Sequence, residues 1–273
     1  METLEELLKK HSLTRDQLER ILAARGKVEI KPLALSLNAG KEYTFGAVSD
    51  THLGSSEEKL RELHTFYRLL KERGITDVYH SGDLVAGNGR VYPGQEFELK
   101  VFGADNQVAH VIECYPKVEG IKTHFILGNH CYSFYQQSGA DIGLQVAEKR
   151  PDMDYLGPFT ADVMMDGIRL IRLVHLKSAN AYALSYRLQK YVEQIPSGLK
   201  PRILLSGHPH TIAYFPYRNI HCFACGSFEG QTTLLARLGI NPIIGGWIIK
   251  LTFGKDKKRS IVSIVPEFIP FYS

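Results

Sequence analysis

Five times along this chain an apolar, strand-like run ends in side chains that are costly to bury without a partner. The stretches are Asp50-Thr51-His52, Gly82-Asp83, Gly128-Asn129-His130, His175 after Leu173-Val174, and Gly207-His208-Pro209-His210. The intervals from Asp50 to Asp83, Asn129, His175 and His208 in turn are 33, 46, 46 and 33 residues. Each is about the length of one strand-helix-strand unit, so such strand ends can line up along one sheet edge. Carboxylate, amide and imidazole groups gathered there make chemical sense around a cation.

The segments between these stretches carry the matching periodicities. Tyr43 to Ser49 reads as the strand that delivers Asp50. Leu60, Leu63, Tyr67 and Leu70 mark the buried face of a helix closing at Gly74. Asp77 to Ser81 is a second strand, and a Gly/Pro-rich loop runs from Ala86 to Gln95. Phe97, Val101, Ala104, Val108, Ile112 and Tyr115 trace one long helix, followed by the strand Thr123 to Leu127 and a helix near Asp141 to Lys149.

Beyond residue 158 the pattern changes. Phe159 to Met165 and Ile168 to Val174 flank Asp166-Gly167, a two-residue hairpin signal. Leu184, Leu188, Val192 and Ile195 give another amphipathic helix, and Arg202 to Ser206 another strand. Ile212 to Tyr217, Ile220 to Ala224, Trp247 to Phe253 and Ser260 to Val265 are strand-like, the last two joined around Gly254. No repeat or low-complexity tract divides residues 27–273, which read as one α/β domain of two mixed sheets with helices outside.

Residues 1–26 stand apart. Leu4, Leu7 and Leu8, then Leu18, Ile21 and Leu22, have helical spacing, Thr14 to Gln17 forms a capping-box pattern, and Gly26 is a stop. This short helical hairpin, helix-turn-helix-like, is either a nucleic-acid-binding appendage or a packing element. The acidic start lacks a signal peptide's basic and apolar regions, and no apolar run is long enough to span a membrane. The expected location is cytoplasmic, without a membrane partner. Cys114, Cys131, Cys222 and Cys225 are too few and scattered for a disulfide framework.

The five stretches, in this order and covering about residues 43 to 230, resemble the calcineurin-like metallophosphoesterases. The resemblance implies a four-layer α-β-β-α sandwich of two mixed sheets, metallophosphoesterase-like, with two divalent ions at the strand ends. It implies that Asp50, His52 and His210 hold the first ion, and Asn129, His175 and His208 the second, with Asp83 bridging. Asn129 and His130 would meet the substrate phosphate, and His130 would be the catalytic histidine.

Physical chemistry is consistent with that allocation. Two divalent ions roughly 3.5 Å apart repel by on the order of 19 kcal/mol at an effective dielectric of about 20. An anionic bridge is therefore needed, and Asp83 with a hydroxide supplies it. The mixed imidazole, carboxylate and amide set suits manganese, with iron, zinc or nickel as alternatives. The implied reaction is in-line attack of the bridging hydroxide on phosphorus, with His130 as general acid to the leaving oxygen.

Departures from the family pattern are visible. Leu176-Lys177 follows His175 where the family usually has glycine, and Cys131 stands where an acidic residue usually follows the histidine, removing a supporting carboxylate. Lys177 is either a phosphate contact or a solvated lysine. The pair Cys222-x-x-Cys225 lies within a strand without a second pair, which argues against zinc. His11, His64, His80, His110, His124 and His221 belong to no motif and default to surface or packing roles.

The favoured function is a metal-dependent phosphodiesterase or nuclease acting on nucleic acid, DNA or RNA, or on nucleotides. It rests on the net charge of +4, the N-terminal hairpin and the helix bearing Tyr182, Tyr186, Arg187, Lys190 and Tyr191. A phosphomonoesterase is the alternative within the same chemistry, although the arginines of protein Ser/Thr phosphatases are missing after Asp83 and His130. A non-catalytic scaffold is the alternative outside it, expected to lose ligands that this chain keeps.

Overall fold

The computed structural model describes Thr14, residues 33–35, 41–177 and 183, and then 185–256 and 260–272. By its contacts the chain divides into Met1–Lys31 and Pro32–Ser273, and the described strands and helices all belong to the second unit. The expected helical hairpin over residues 1–26 lies outside the described residues, Thr14 excepted, as do Tyr182 and Leu184 of the expected tyrosine-rich helix.

The strands form two six-stranded sheets. In chain order they are β1 (Leu33–Leu35), β2 (Glu42–Val48), β3 (Asp77–His80), β4 (Lys122–Ile126), β5 (Met153–Gly157), β6 (Thr160–Met165), β7 (Ile168–His175), β8 (Ile203–Gly207), β9 (Ile212–Tyr217), β10 (Ile220–Cys225), β11 (Gly245–Phe253) and β12 (Ile261–Pro270). One sheet has the order β1-β6-β7-β8-β10-β9, the other β12-β11-β2-β3-β4-β5. Both are mixed: β2, β3, β4 and β5 run parallel, as do β7, β8 and β10, with antiparallel partners at the margins.

Alternating side chains assign the faces. Phe45, Ala47, Tyr79, Ile171, Leu173, Leu205, Phe223 and Ile249 fill the core between the sheets. The other face of the β2-β3-β4 sheet packs Val48, Val78 and Phe125 against Leu63, Phe66, Tyr67 and Leu70 of α1 (Leu60–Glu72). On the far face of the second sheet, Val174, Leu204 and Cys222 pack against Leu188 and Val192 of α5 (Tyr186–Gln194). The result is the expected α-β-β-α order of layers. Gly46 is required at one close approach, since a Cβ there would come 2.8 Å from Leu70 Cδ1 of α1.

Helices α2 (Ala104–Cys114), α3 (Asn129–Ser138) and α4 (Ile142–Lys149) complete the layer beside α1. Two expectations change here. The helix foreseen from Phe97 to Tyr115 is shorter and begins at Ala104, because Gly103 at φ +88° interrupts it. The N–H groups of Lys100 and Val101 donate to the Gly54 carbonyl instead of a helix, and Phe97 is left 88% exposed. The stretch after Gly128, expected only as a strand end, opens α3. The buried guanidinium of Arg150 closes α2, donating to the carbonyls of Tyr115 at 3.1 Å and Pro116 at 2.9 Å while paired with Asp152.

The hairpin at Asp166-Gly167 forms as expected, with φ of 50° and 76° at the two turn residues. Cys222 and Cys225 face different layers, one toward α5 and the other into the core between the sheets, so the two thiols cannot share an ion. Among the described residues no helix is long and apolar enough to cross a membrane.

Candidate metal centre

Register places the candidate ligands. Val48, His80 and Phe125 are partners across β2, β3 and β4, so the chain just past each strand delivers Asp50, Asp83 and Asn129 to one edge. In the other sheet His175 is the partner of Gly207, which sets His175 beside His208. The two edges meet where the Asp50 carboxylate accepts the His208 N–H at 2.9 Å. The first loop is also tied to the second, with Asp50 N–H donating to Gly82 O and His52 N–H to Asp83 O.

The backbone is bent hard at this point. Asp50, His52, Asp83, His208 and His210 all have positive φ, between 42° and 87°. Strain of this kind costs on the order of 1 to 3 kcal/mol per residue and concentrates at functional sites. The other described non-glycine residues with positive φ, Asp166, Arg218 and Asn219, sit in hairpin turns. The glycines before the candidate ligands have a steric role. A Cβ on Gly128 would lie 2.3 Å from Asp83 Oδ1, and one on Gly207 would lie 2.2 Å from Ser49 Oγ.

All eight sequence-expected site residues converge. Asp50, His52 and His210 form one cluster of donor atoms, and Asp83, His175 and His208 a second. His210 Nε2 is 3.4 Å, and His52 Nε2 3.8 Å, from Asp50 Oδ1. Asp83 Oδ2 lies between the clusters, 3.9 Å from His52 Nε2 and 3.0 Å from His175 Nε2. Asn129 Oδ1 stands 3.1 Å from His175 Nε2. His130, in the first turn of α3, has its ring 4.6 Å from that of His52, and its N–H donates to Asp83 Oδ1 at 2.9 Å.

These atoms fit cations. His175 Nδ1 is 3.0 Å from the Ser81 carbonyl, to which it donates, so Nε2 faces the oxygens of Asp83 and Asn129 either as a lone pair or, because burial is outweighed by Asp83, which raises the ring above its ordinary value, as an added N–H. Three acceptors facing one another in a buried site require a positive species between them. His52 Nε2 and His210 Nδ1 are buried without any hydrogen-bond partner. Burial pushes His130 and His208 down to about 4 and His210 to about 3, so these rings are neutral and able to ligate. Burial also lowers His52, but Glu229, Asp50 and Asp83 around it hold it up at about 9.

Lys177 lines the cavity over the clusters together with Tyr92 and Gln95 of the Gly/Pro-rich loop. Leu234 and Leu235 of α6 (Thr233–Arg237), with Leu238 and Ile240, also line it and have no motif that would announce them. Cys131 is fully buried behind the site, accepting from Val85 N–H at 3.4 Å, and burial drives its thiol well above the ordinary range. On α5, Lys190 is paired with Glu193 at 2.9 Å.

One residue at the centre lacked a motif: Glu229, 6% exposed, with Oε2 3.8 Å from His52 Nε2. A signal existed. Ser227-Phe228-Glu229 follows β10 as the other stretches follow their strands.

Comparison with known proteins adds the following. A family model described as calcineurin-like phosphoesterase matches residues 43–246. The DNA polymerase II small subunit of Methanothermobacter thermautotrophicus is 24% identical over 249 residues, covering 75% of this chain and 51% of that protein. The chain thus spans about half the length of that curated relative. Among solved structures, an archaeal phosphodiesterase has 14% identity and a TM-score of 0.45, covering 83% of this chain and 99% of its own. Zinc-complexed Vps29 from Entamoeba histolytica has 14% identity and a TM-score of 0.40, covering 84% and 99%.

Proposed function

The chain belongs to the calcineurin-like phosphoesterase family, and we propose that it hydrolyses a phosphodiester, in a nucleic acid or nucleotide, at a centre for two divalent ions. The observation that carries this is the approach of Asp83 Oδ2 and Asn129 Oδ1 to His175 Nε2, at 3.0 and 3.1 Å, which a cation or an added proton relieves. In this reading Asp50, His52 and His210 would hold one ion, Asn129, His175 and His208 the other, and Asp83 both. Manganese fits the donor set best. When bound, such a pair supplies the Lewis acidity that activates water and offsets charge on the phosphate oxygens.

The protein's own groups do the rest. His130 is held by its Nδ1 contact with the Ala86 carbonyl at 2.9 Å, which leaves Nε2 for the substrate at the cavity wall. An anionic ester beside that ring favours its protonated form. His130 then donates the proton to the leaving alkoxide, a step that an unactivated sugar leaving group particularly needs. Lys177, on the same cavity, offers a point charge to a phosphate oxygen. The relative named as a DNA polymerase subunit and the net charge of +4 favour a nucleic-acid substrate over a small metabolite.

The test is a substrate panel with manganese-loaded full-length chain: bis-p-nitrophenyl phosphate, p-nitrophenyl phosphate, and single- and double-stranded DNA and RNA. Diester turnover together with nucleic-acid cleavage is expected. Turnover of the monoester alone would reject the diesterase, and absence of both bound metal and turnover would make the chain a scaffold.

A further inference from the structure

We propose that Glu229 is a further donor to the ion position formed by Asp50, His52 and His210, making that position richer in carboxylates than its neighbour. The inference rests on the two-ion reading above.

Glu229 is carried by the strand that the five motifs leave out. β10 lies parallel to β8, and just as the chain past β8 delivers His208, the chain past β10 delivers Glu229. Its segment is hooked onto the first motif: Phe228 N–H donates to the Asp50 carbonyl at 3.0 Å and Ser227 Oγ to the same oxygen at 2.9 Å. The Glu229 N–H is held by Ser227 Oγ at 2.9 Å. The side chain is therefore placed by the same backbone that places Asp50.

Its carboxylate faces two buried nitrogens that no hydrogen bond satisfies. Glu229 Oε2 is 3.8 Å from His52 Nε2 and 4.0 Å from His210 Nδ1, both buried without a hydrogen-bond partner. Among the described residues, these imidazoles are the only basic side chains within 4.0 Å of it. A carboxylate withdrawn from water to 6% exposure, with no lysine or arginine within 4.0 Å among the described residues, can be compensated only by a positive charge on or between these two rings. Asp50 approaches His52 Nε2 at the same 3.8 Å, but Glu229 stands outside the group of donor atoms that Asp50, His52 and His210 form, so its carboxylate reaches an ion on that nitrogen by turning toward it. Asp50, Asp83 and Glu229 would then serve the first position, whereas only Asp83 serves the second.

Titration of metal-stripped full-length protein with Mn2+ and Co2+, by calorimetry and visible absorption, tests this. Wild type is expected to take two ions. Glu229→Gln should weaken the tighter one by about 10-fold or more and alter the Co2+ absorption bands, and Glu229→Asp, which keeps the charge but retracts it, should weaken it less. Melting in chelator checks that both variants are folded, and either alone suffices for the comparison. Wild-type affinities in the folded variants would overturn the proposal. So would weaker binding with an unchanged Co2+ spectrum, which would set Glu229 outside the coordination. Wild type that binds no ion would instead refute the two-ion reading itself.

Discussion

His175 and Asp83 meet across the two sheets, Nε2 of the one 3.0 Å from Oδ2 of the other, while the opposite ring nitrogen is occupied by the Ser81 carbonyl. A lone pair aimed at a carboxylate is repulsive unless a proton or a cation lies between. The contact therefore marks Asp83 as the residue on which ion binding depends most. On the two-ion reading Asp83→Asn removes the charge between the two cations, and elemental analysis should find at most one ion per chain. His130→Ala should retain both ions while turnover falls about 10²- to 10⁴-fold, the range of a lost general acid. Equal metal loss in the two variants would place His130 among the ligands, since it also lies within 4.8 Å of His52 and Asp83 donor atoms.

Gly128 gives a purely steric test. Its φ of −147° suits any residue, but an added Cβ would lie 2.3 Å from Asp83 Oδ1. Gly128→Ala should displace that carboxylate, costing about 1 to 3 kcal/mol as overpacking does, and ion binding should fall with it. Gly74→Ala is the contrasting control, because nothing lies within 4 Å of its Cβ position although φ is +68°. It should cost about 1 kcal/mol and leave ion binding intact. Equal ion affinity in both variants would refute the steric account.

Stability should depend on pH through a cluster remote from the metal centre. His124 is held between Asp77 at 3.0 Å and Asp154 at 3.1 Å, and Lys122 also reaches Asp154. Burial lowers His124, but the contacts with Asp154 and Asp77 outweigh it and raise the ring above its ordinary value. Both carboxylates are lowered, Asp77 against its burial chiefly by His124, and Asp154 chiefly by His124. The histidine's contribution is full below about 6.5 and is lost as pH rises through its folded value; the carboxylates' is present above about 3.9 and lost in acid. His124→Gln should therefore cost about 2 kcal/mol at pH 6 and distinctly less at pH 9. Denaturant melts of both proteins at the two pH values measure the difference, and an equal cost at both would show that charge is not its source.

Local pattern carried much of the fold. Leu63, Tyr67 and Leu70 have one-face helical spacing and lie buried on α1, and Asp166-Gly167 turned the chain where the hairpin signal stood. The long helix from Phe97 failed because the carbonyl that claims the Lys100 and Val101 N–H groups belongs to Gly54, far away in sequence and invisible to periodicity. Helix α3 was hidden for a related reason: Asn129 to Ser138 is polar and aromatic without an apolar stripe. Glu229 was missed because a single carboxylate after a strand is common, and only its nearness to His52 distinguishes it.

The order and spacing of strand-end ligand types were determined by the sequence alone, because strand and helix periodicities are local and each motif follows its own strand directly. The tertiary structure decided the meeting of the two sheet edges, which brings Asp50 against His210 at 3.4 Å and Glu229 beside His52. It also decided the left-handed backbone at five of the candidate ligands. Such features depend on long-range register and on neighbouring loops holding one another in strained conformations. No residue's local preference contains that information, so the convergence of the site could be expected from the motifs, but its geometry could be obtained only from the folded chain.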